Sequence, residues 1–174
     1  MKRHVALVGF MASGKSTIGK RLARRLCWNF IDSDAEIVRE HGPIERIFAE
    51  EGESAFRRYE HAVVERALAE AAPSVIAVGG GAPTHKPTRD LLARHAYRVF
   101  LAVTPEQVLA RLRRSKTPRP LLGAELDAER VRALYNERLP LYREAEAIVD
   151  CGELQSGAAA ELVEQRLRAV GVVP

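Results

Sequence analysis

The sequence predicts an α/β protein whose parallel β-sheet is covered by helices on both faces. Short apolar runs alternate with helical patterns along all 174 residues, and no repeat or Pro/Gly/Ser-rich linker divides them. Glycine or acidic residues follow several of the apolar runs. Such alternation is typical of strands joined by crossover helices in one sheet. The length fits a single domain over residues 1–174.

The first part of the chain contains two predicted strands and several helical stretches. HVALVG (4–9) is an apolar run that predicts a buried strand, and a helix with one apolar face follows at 16–26. WNFID (28–32) predicts a weaker strand. The helical pattern after it is broken at Gly42-Pro43 and at Gly52, because glycine and proline interrupt helices.

The rest of the chain supplies three more strands and their helices. Thr104-Pro105 predicts a helix start, because threonine caps helices and proline fits the first helical position. The predicted elements are, in order, a strand SVIAVGGG (74–81), a strand YRVFLAV (97–103), the helix opened by Thr104-Pro105, a helix from Asp127 to about Ala145, a strand AIVD (147–150) and a helix over about 158–170. The sheet is therefore expected to have five strands.

The charge distribution argues against a nucleic-acid-binding protein. The net charge is +4, but the stretch RLRRSKTPR (111–119) alone holds five basic residues and no acidic one. The rest of the chain is therefore close to neutral. No aromatic residue lies within the basic stretch to stack on bases. A small polyanion is a better ligand for this patch than a nucleic acid, so we expect no nucleic-acid partner.

The sequence contains no membrane or secretion signal. No apolar run approaches the roughly 18 residues that a membrane helix needs. The N-terminal apolar run, Val5 to Val8, is too short for the core of a signal peptide. Cys27 and Cys151 show neither metal-binding spacing nor a disulfide framework. We expect a cytoplasmic protein without a membrane partner.

The strongest motif is GFMASGKS (9–16), which matches the phosphate-binding pattern G-x-x-x-x-G-K-[ST] between a predicted strand and a helix. Consecutive backbone N–H groups and a helix N-terminus form an anion site in such a loop. Lys15 is expected to neutralise the outer phosphates, and the Ser16 hydroxyl to bind Mg²⁺. The alternative is a plain surface turn, but the structural context favours a nucleotide site.

Two aspartates follow the second predicted strand, in the stretch Asp32-Ser33-Asp34. The carboxyl ends of parallel strands lie at one edge of a sheet, so both aspartates belong beside the phosphate loop. Asp32 can hold Mg²⁺ through water, and Asp34 can orient an acceptor hydroxyl and take its proton. Alternatively, Asp34 simply caps a helix that starts at Ala35.

Three consecutive glycines, Gly79 to Gly81, follow the third predicted strand. They can serve a loop that needs positive φ, or they can let the backbone approach a small ligand. Arg57 lies about 100° round its predicted helix from the apolar face. It can face a cleft, or it can be merely solvated.

Taken together, these stretches resemble the shikimate kinase family over essentially the whole chain. The resemblance is carried by GFMASGKST (9–17), DSD (32–34), IFAEEGESAFRRYE (47–60), VGGGAP (78–83), RPLL (119–122) and NERLPLYREA (136–145). It implies a P-loop kinase fold, nucleoside-monophosphate-kinase-like, with a lid at about 112–124 and a shikimate-binding region at about 33–60. It also implies transfer of the γ-phosphate of ATP, with Mg²⁺, to the 3-hydroxyl of shikimate on the route to chorismate.

The resemblance also implies roles for individual residues, in an enzyme expected to be a monomer. The catalytic residues are Lys15, Asp34 and Arg119, and the metal residues are Ser16 and Asp32. The nucleotide-binding residues are Ala12, Ser13, Gly14, Lys15, Ser16, Thr17, Arg119 and Gln155. The shikimate-binding residues are Asp34, Arg57, Gly79, Gly80, Gly81 and Arg138.

The chain departs from the family pattern at two places on the nucleotide side. The predicted lid, RLRRSKTPRPLL, is slightly longer than common versions. It therefore stays open which of Arg111, Arg113 or Arg114 approaches the adenine. Gln155 stands where some members have arginine, and glutamine can still hydrogen-bond the base or the ribose.

Two other kinds of nucleotide protein compete with this interpretation. A kinase for gluconate or a nucleoside monophosphate does not need an arginine and triple-glycine pocket for a carboxylated ring. A nucleotide-dependent switch or nucleic-acid ATPase usually carries an acidic residue after a strand, where VIAVGGG (75–81) ends in glycine. Both alternatives are therefore weaker.

Overall fold

Five parallel strands form one sheet in the computed structural model, which describes residues 2–114 and 127–173. The strand order is β2-β3-β1-β4-β5. The strands are His4–Val8 (β1), Asn29–Asp32 (β2), Ser74–Ala77 (β3), Ala96–Ala102 (β4) and Ala147–Asp150 (β5). The predicted five-stranded parallel sheet is confirmed.

Eight α-helices connect or follow these strands in the described ranges. They are Lys15–Leu26 (α1), Ser33–His41 (α2), Ile44–Glu50 (α3), Gly52–Ala69 (α4), Lys86–His95 (α5), Pro105–Arg114 (α6), Ala128–Tyr142 (α7) and Ser156–Ala169 (α8). A short 3₁₀ helix, Ala82–Thr84, follows the three glycines. The helices produce the layered α/β arrangement that the alternating pattern predicts.

The helix starts predicted at Thr104-Pro105 and at Asp127 are confirmed, but one helix was missed and one ends early. The Asp127 carboxylate caps α7 by accepting from the N–H groups of Glu129 and Arg130, and Thr104 caps α6 through the N–H of Gln107. α7 ends at Tyr142 rather than near Ala145. α5 (KPTRDLLARH) was not predicted, because its few apolar residues give no clear helical period.

The register of the sheet brings three strand ends together. β1 is the central strand and is buried along its whole length. Leu7 of β1 pairs with Ala77 of β3, and Ala77 pairs with Asp32 of β2. The residues after β1, β2 and β3 therefore emerge side by side at the carboxyl edge of the sheet, where ligands of such folds bind.

A second, smaller core lies beside this edge, between α2, α3 and α4. Ile37, Ile47, Phe56 and Val63 are its buried members. This packing holds the N-terminal half of α4 over the carboxyl edge of the sheet. In the described ranges, no helix is both long and apolar enough to cross a membrane.

Candidate active site

The segment 9–17, which comprises the loop between β1 and α1 and the first residues of α1, is called the phosphate loop here, and its backbone explains its glycines. Gly9 has φ 146° and Gly14 has φ 96°, and Ala12 is also left-handed with φ 58°. A Cβ atom on Gly9 would lie 2.8 Å from the carbonyl oxygen of Leu101. Side chains at Gly9 and Gly14 would therefore strain the backbone. The conformation of the loop is thus determined by its own backbone rather than by packed side chains.

The phosphate loop is arranged to bind an anion. The Lys15 ammonium group donates to the carbonyl oxygens of Gly9 (2.9 Å) and Phe10 (2.8 Å), so it lies across the loop. The first turn of α1 contains no acidic residue, and no side chain caps it. The positive end of α1 is therefore available to a negative ligand.

A cavity of about 220 Å³ opens over this loop. Every predicted nucleotide-binding residue from 12 to 17 lines it except Ser13, which is fully buried beneath it. Its lining residues are Met11, Ala12, Gly14, Lys15, Ser16, Thr17, Asp32, Asp34, Ala77, Val78 and Gly80. We call it the phosphate cavity.

The two aspartates after β2 have different environments. α2 begins at Ser33, and Asp32 is its N-cap, because its Oδ1 accepts from the N–H of Ala35 at 3.3 Å. The alternative that Asp34 caps a helix starting at Ala35 is therefore wrong, because Asp34 already lies in the first turn of α2. Its carboxylate lies at the edge of the phosphate cavity instead.

A second cavity of about 590 Å³ adjoins the first and is called the acceptor cavity. Apolar side chains of α2, α3 and α4 form one wall, and Arg57, Arg138 and the three glycines bring polar groups. The two cavities share Met11, Ser16, Asp32, Asp34 and Gly80. A ligand in the acceptor cavity therefore lies next to the phosphate cavity, and Asp34 is at the boundary between the two.

Arg57 is buried and held by two glutamates of its own helix. Its Nη1 donates to Glu60 at 2.5 Å, and its Nε and Nη2 donate to Glu53 at 3.3 and 3.1 Å. Only 8% of the Arg57 side chain is exposed. The guanidinium group is thus fixed at the cavity wall before any ligand arrives.

Glu60 was not predicted as a site residue, although it is fully buried. Its pKa is raised to about 7, mainly by burial; nearby Arg57 opposes the shift and Asp34 adds to it. The sequence does carry a signal for this position. Glu60 lies four residues after Phe56 and three before Val63, so it falls on the apolar face of α4.

Arg138 lies on α7 and has only 4% of its surface exposed. It forms no ion pair with any residue in the described ranges, and its Nε has no hydrogen-bond partner there. An uncompensated buried cation costs free energy. Arg138 lines the acceptor cavity, so an anionic ligand there would satisfy it.

The three glycines are required by close neighbours, not by positive φ. None of Gly79, Gly80 and Gly81 is in the left-handed region, so that alternative is wrong. A Cβ atom would lie 2.3 Å from Glu60 if built on Gly79, and 2.0 Å from Arg57 if built on Gly81. On Gly80 it would lie 3.2 Å from the backbone nitrogen of Met11. Because these glycines have no side chains, Glu60, Arg57 and the backbone of the phosphate loop can lie directly against them.

The structure distinguishes the three arginines that the sequence left open. Arg111 donates to the carbonyl oxygens of Ala12 (3.0 Å), Cys151 (3.1 Å) and Gly152 (3.0 Å), so it joins the phosphate loop to the loop after β5. Gln155 is the exposed residue that precedes α8. Arg119 and the predicted lid beyond Arg114 lie outside the described residues.

Comparison with known proteins identifies the family. The shikimate kinase family model matches residues 11–169 of this chain. Shikimate kinase of Mycobacterium avium (strain 104) is 43% identical over 171 residues, which are 97% of this chain and 96% of that protein. The structure of shikimate kinase from Acinetobacter baumannii in complex with shikimate has a TM-score of 0.85 and 39% identity. That match covers 97% of this chain and 92% of the other.

A more distant structure helps to separate fold from function. A gluconokinase from Sinorhizobium meliloti 1021 has a TM-score of 0.61 but only 18% identity, with 97% of each chain covered. That likeness shows the fold alone. The family model and the closer relatives confirm the resemblance found in the sequence. This chain is therefore a member of the shikimate kinase family, with the P-loop kinase fold and the ATP-dependent kinase activity of that family.

Proposed function

We propose that this chain transfers the γ-phosphate of ATP to the 3-hydroxyl of shikimate, giving shikimate 3-phosphate and ADP. The observation that carries the proposal is that the phosphate and acceptor cavities meet at Asp34. Phosphoryl transfer requires the attacking oxygen and the γ-phosphate to be held in line. Two adjoining cavities, one suited to phosphates and one to a carboxylated ring, provide that arrangement.

The phosphate loop would hold the triphosphate of ATP. Its N–H groups and the N-terminus of α1 face the phosphate cavity, and Lys15 would move from the loop carbonyl oxygens to the phosphates. Its charge would stabilise the negative charge that develops on the transferred group. Arg111 and Gln155 would lie on the adenine side, where Arg111 already bridges the phosphate loop and the loop after β5.

Mg²⁺ fits this site, although no cluster of three or more His, Cys, Asp or Glu side chains within residues 2–114 and 127–173 could hold a metal. Mg²⁺ commonly takes one or two protein oxygens and completes its shell with water and phosphates. The Ser16 hydroxyl and the Asp32 carboxylate both line the phosphate cavity. When bound, Mg²⁺ would neutralise phosphate charge during transfer.

The acceptor cavity would recognise the shikimate carboxylate. Arg138 contributes a buried cation that has no ion pair in the described part of the chain. Arg57 contributes a guanidinium group whose position Glu53 and Glu60 fix. No described residue accepts a hydrogen bond from the N–H groups of Gly80 or Gly81. A carboxylate among these donors would gain charge-assisted hydrogen bonds.

Asp34 would orient the 3-hydroxyl and take its proton. Asp34 lines both cavities, so a hydroxyl beside it is within reach of a γ-phosphate over the phosphate loop. As the oxygen–phosphorus bond forms, the hydroxyl proton passes to the carboxylate, and ADP leaves with the electron pair of the broken bond. Asp32 cannot substitute easily, because its carboxylate caps α2.

The remaining expectations are part of the same proposal. Arg119 would contact the nucleotide phosphates from a lid, as the family resemblance implies. The enzyme would be a cytoplasmic monomer that acts on small molecules and not on nucleic acid, in line with the confinement of its basic excess to residues 111–119.

A coupled assay of ADP release tests the proposal directly. Shikimate, gluconate and CMP are offered as acceptors, with Mg²⁺ and ATP, to the wild-type enzyme and to Lys15→Ala. We expect rapid turnover with shikimate, at least about 100-fold lower kcat/KM with the other two, and loss of turnover in the variant. Preference for gluconate or CMP would overturn the proposal.

A further inference from the structure

The peptides around Gly80 are held by partners outside the predicted site. The Gly79 N–H donates to the Ser33 hydroxyl at 3.0 Å, and the Gly79 carbonyl oxygen accepts from the N–H of Ala82 at 3.0 Å. The Gly80 carbonyl oxygen accepts a short hydrogen bond from the Tyr142 hydroxyl. The peptide groups on both sides of Gly80 are therefore anchored.

This anchoring matters because glycine has the widest choice of backbone conformations. Without a partner for the Gly80 carbonyl oxygen, the peptide between Gly80 and Gly81 could rotate, and the Gly81 N–H, which belongs to this peptide, would rotate with it. The anchors fix the directions of the Gly80 and Gly81 N–H groups, neither of which has an acceptor among the described residues. Such pre-organisation improves binding because less freedom is lost when a ligand arrives.

We propose that Tyr142 is a positioning residue of the acceptor cavity, which holds the Gly80–Gly81 peptide through the Gly80 carbonyl oxygen so that the Gly81 N–H is presented to the carboxylate of the substrate. The inference rests on the proposed function, since the carboxylate is that of shikimate. Tyr142 touches the glycine backbone and the side chain of Arg138, and it acts on the substrate only through these groups.

The position of Tyr142 on α7 supports this role. Tyr142 follows Arg138 by four residues, so both side chains leave the same face of the helix. One turn of α7 thus carries both Arg138, the buried cation of the acceptor cavity, and Tyr142, whose hydroxyl binds the Gly80 carbonyl oxygen. The spacing between Arg138 and the Gly80 backbone is therefore set by one rigid element.

The Tyr142 hydroxyl is also suited to being a permanent donor. The residue is completely buried, and its ring stacks on Phe100 at a centroid distance of 5.3 Å. Burial raises the pKa of Tyr142 above its ordinary value, so the hydroxyl stays protonated at any physiological pH. Hydrogen bonds are stronger in such a low-dielectric environment.

The ring and the hydroxyl can be separated by substitution. Tyr142→Phe keeps the stacking on Phe100 and removes the hydroxyl, with its hydrogen bonds to Gly80 and to Arg138. Tyr135→Phe is the matched control, because Tyr135 is also a buried tyrosine of α7 and packs edge-on against Phe10 at 5.4 Å. Its hydroxyl has no hydrogen-bond partner within the described ranges.

Steady-state kinetics on the full-length enzyme test the proposal. For Tyr142→Phe we expect KM for shikimate to rise about 3- to 10-fold, the effect of losing one hydrogen bond. The kcat and the KM for ATP should change little. The penalty for replacing shikimate with its methyl ester should be smaller in Tyr142→Phe than in wild type, because the carboxylate site is already loosened. Tyr135→Phe should match wild type.

A second measurement does not depend on activity. In a spectrum of ¹⁵N-glycine-labelled enzyme, the Gly81 amide signal should shift or broaden in Tyr142→Phe, while that of the distant Gly157 stays in place. An unchanged Gly81 signal with an unchanged KM would overturn the inference. An equal loss for shikimate and its methyl ester, with a lowered Tm, would assign Tyr142 a purely structural role. A wild-type enzyme inactive on shikimate would overturn the proposed function itself, and this inference with it.

Discussion

The phosphate loop and the acceptor cavity are built in opposite ways. The phosphate loop consists of consecutive residues, 9–17, and offers a ligand mainly backbone groups and a helix N-terminus. The acceptor cavity collects Asp34 from α2, Arg57 from α4, three glycines after β3 and Arg138 from α7. A local site can be recognised from one short motif, whereas the second exists only after the chain has folded.

The two sites also use glycine and charge differently. Gly9 and Gly14 are needed for backbone conformation, while Gly79 and Gly81 are needed because charged side chains lie against them. The phosphate loop leaves a helix N-terminus without an acidic partner. In the acceptor cavity, Arg57 forms ion pairs with Glu53 and Glu60. Arg138 forms no ion pair within the described ranges, so its charge is available to an anionic ligand.

The largest effect is expected for Asp34→Asn, because this residue belongs to both sites. Loss of the base should lower kcat by about 10²–10⁴-fold, while the Tm changes little, because Asp32 caps α2. Glu36→Gln, in the same turn of α2, is the control and should retain full kcat. If Asp34→Asn loses stability and keeps its kcat, the residue has no catalytic role.

The second prediction tests whether the phosphate loop can be impaired without affecting shikimate binding in the acceptor cavity. Lys15→Ala should lower kcat by about 10²–10³-fold, since it removes a charge that stabilises the transferred group. Shikimate affinity measured without nucleotide should stay the same. Lys20→Ala, on the exposed side of α1 near Phe30, is the control. Near-wild-type turnover in Lys15→Ala would contradict the account of this loop.

A smaller effect is expected where a glycine faces Arg57. Gly81→Ala places a Cβ atom 2.0 Å from Arg57, so the guanidinium group must move. We expect KM for shikimate to rise about 10-fold, which corresponds to about 1.4 kcal/mol, with KM for ATP unchanged. Gly157→Ala has no atom within 4 Å of the new Cβ and should leave both KM values unchanged. An unaltered KM for shikimate in Gly81→Ala would mean that Arg57 is not needed in its observed position.

The last predicted effect is on stability rather than on activity and comes from Glu60. Its pKa is raised from 4.5 to about 7 by burial, so the folded state holds this proton more tightly than the unfolded state. The stabilisation is present below pH about 4.5 and is lost as pH rises through about 7, with a size on the order of 1–3 kcal/mol. Denaturant unfolding at pH 5 and pH 7.5 should show this decline in wild type. The decline should shrink in Glu60→Gln, and equal declines would contradict the assignment.

The sequence was sufficient for the elements whose signals are local. The strand, loop and helix around Gly9 to Ser16 follow from an apolar run, a motif and one helical period. α5 was missed because Leu91 and Leu92 alone do not define a helical face. The alternative in which Asp34 caps α2 placed the cap two residues too late, because a helix start can shift by two residues without changing the local pattern.

The parts of the site that depend on tertiary contacts could not be predicted from spacing alone. The sequence left open whether Arg57 is solvated or faces a cleft. Only the folded structure shows that it is buried between Glu53 and Glu60. The Tyr142 hydroxyl reaches Gly80 across 62 positions of sequence. No periodicity in α7 indicates such a contact, although the four-residue spacing from Arg138 is visible once the role of Arg138 is known.

The central claim is that the acceptor cavity binds shikimate through its carboxylate, next to an independent nucleotide site. Isothermal titration calorimetry of shikimate and of ADP with Mg²⁺, on wild type and Arg138→Met, tests it most directly. Methionine keeps most of the buried packing and removes the charge. The account predicts that shikimate affinity falls about 10- to 100-fold while ADP affinity is unchanged. Unchanged shikimate affinity, or an equal loss for both ligands, would contradict it.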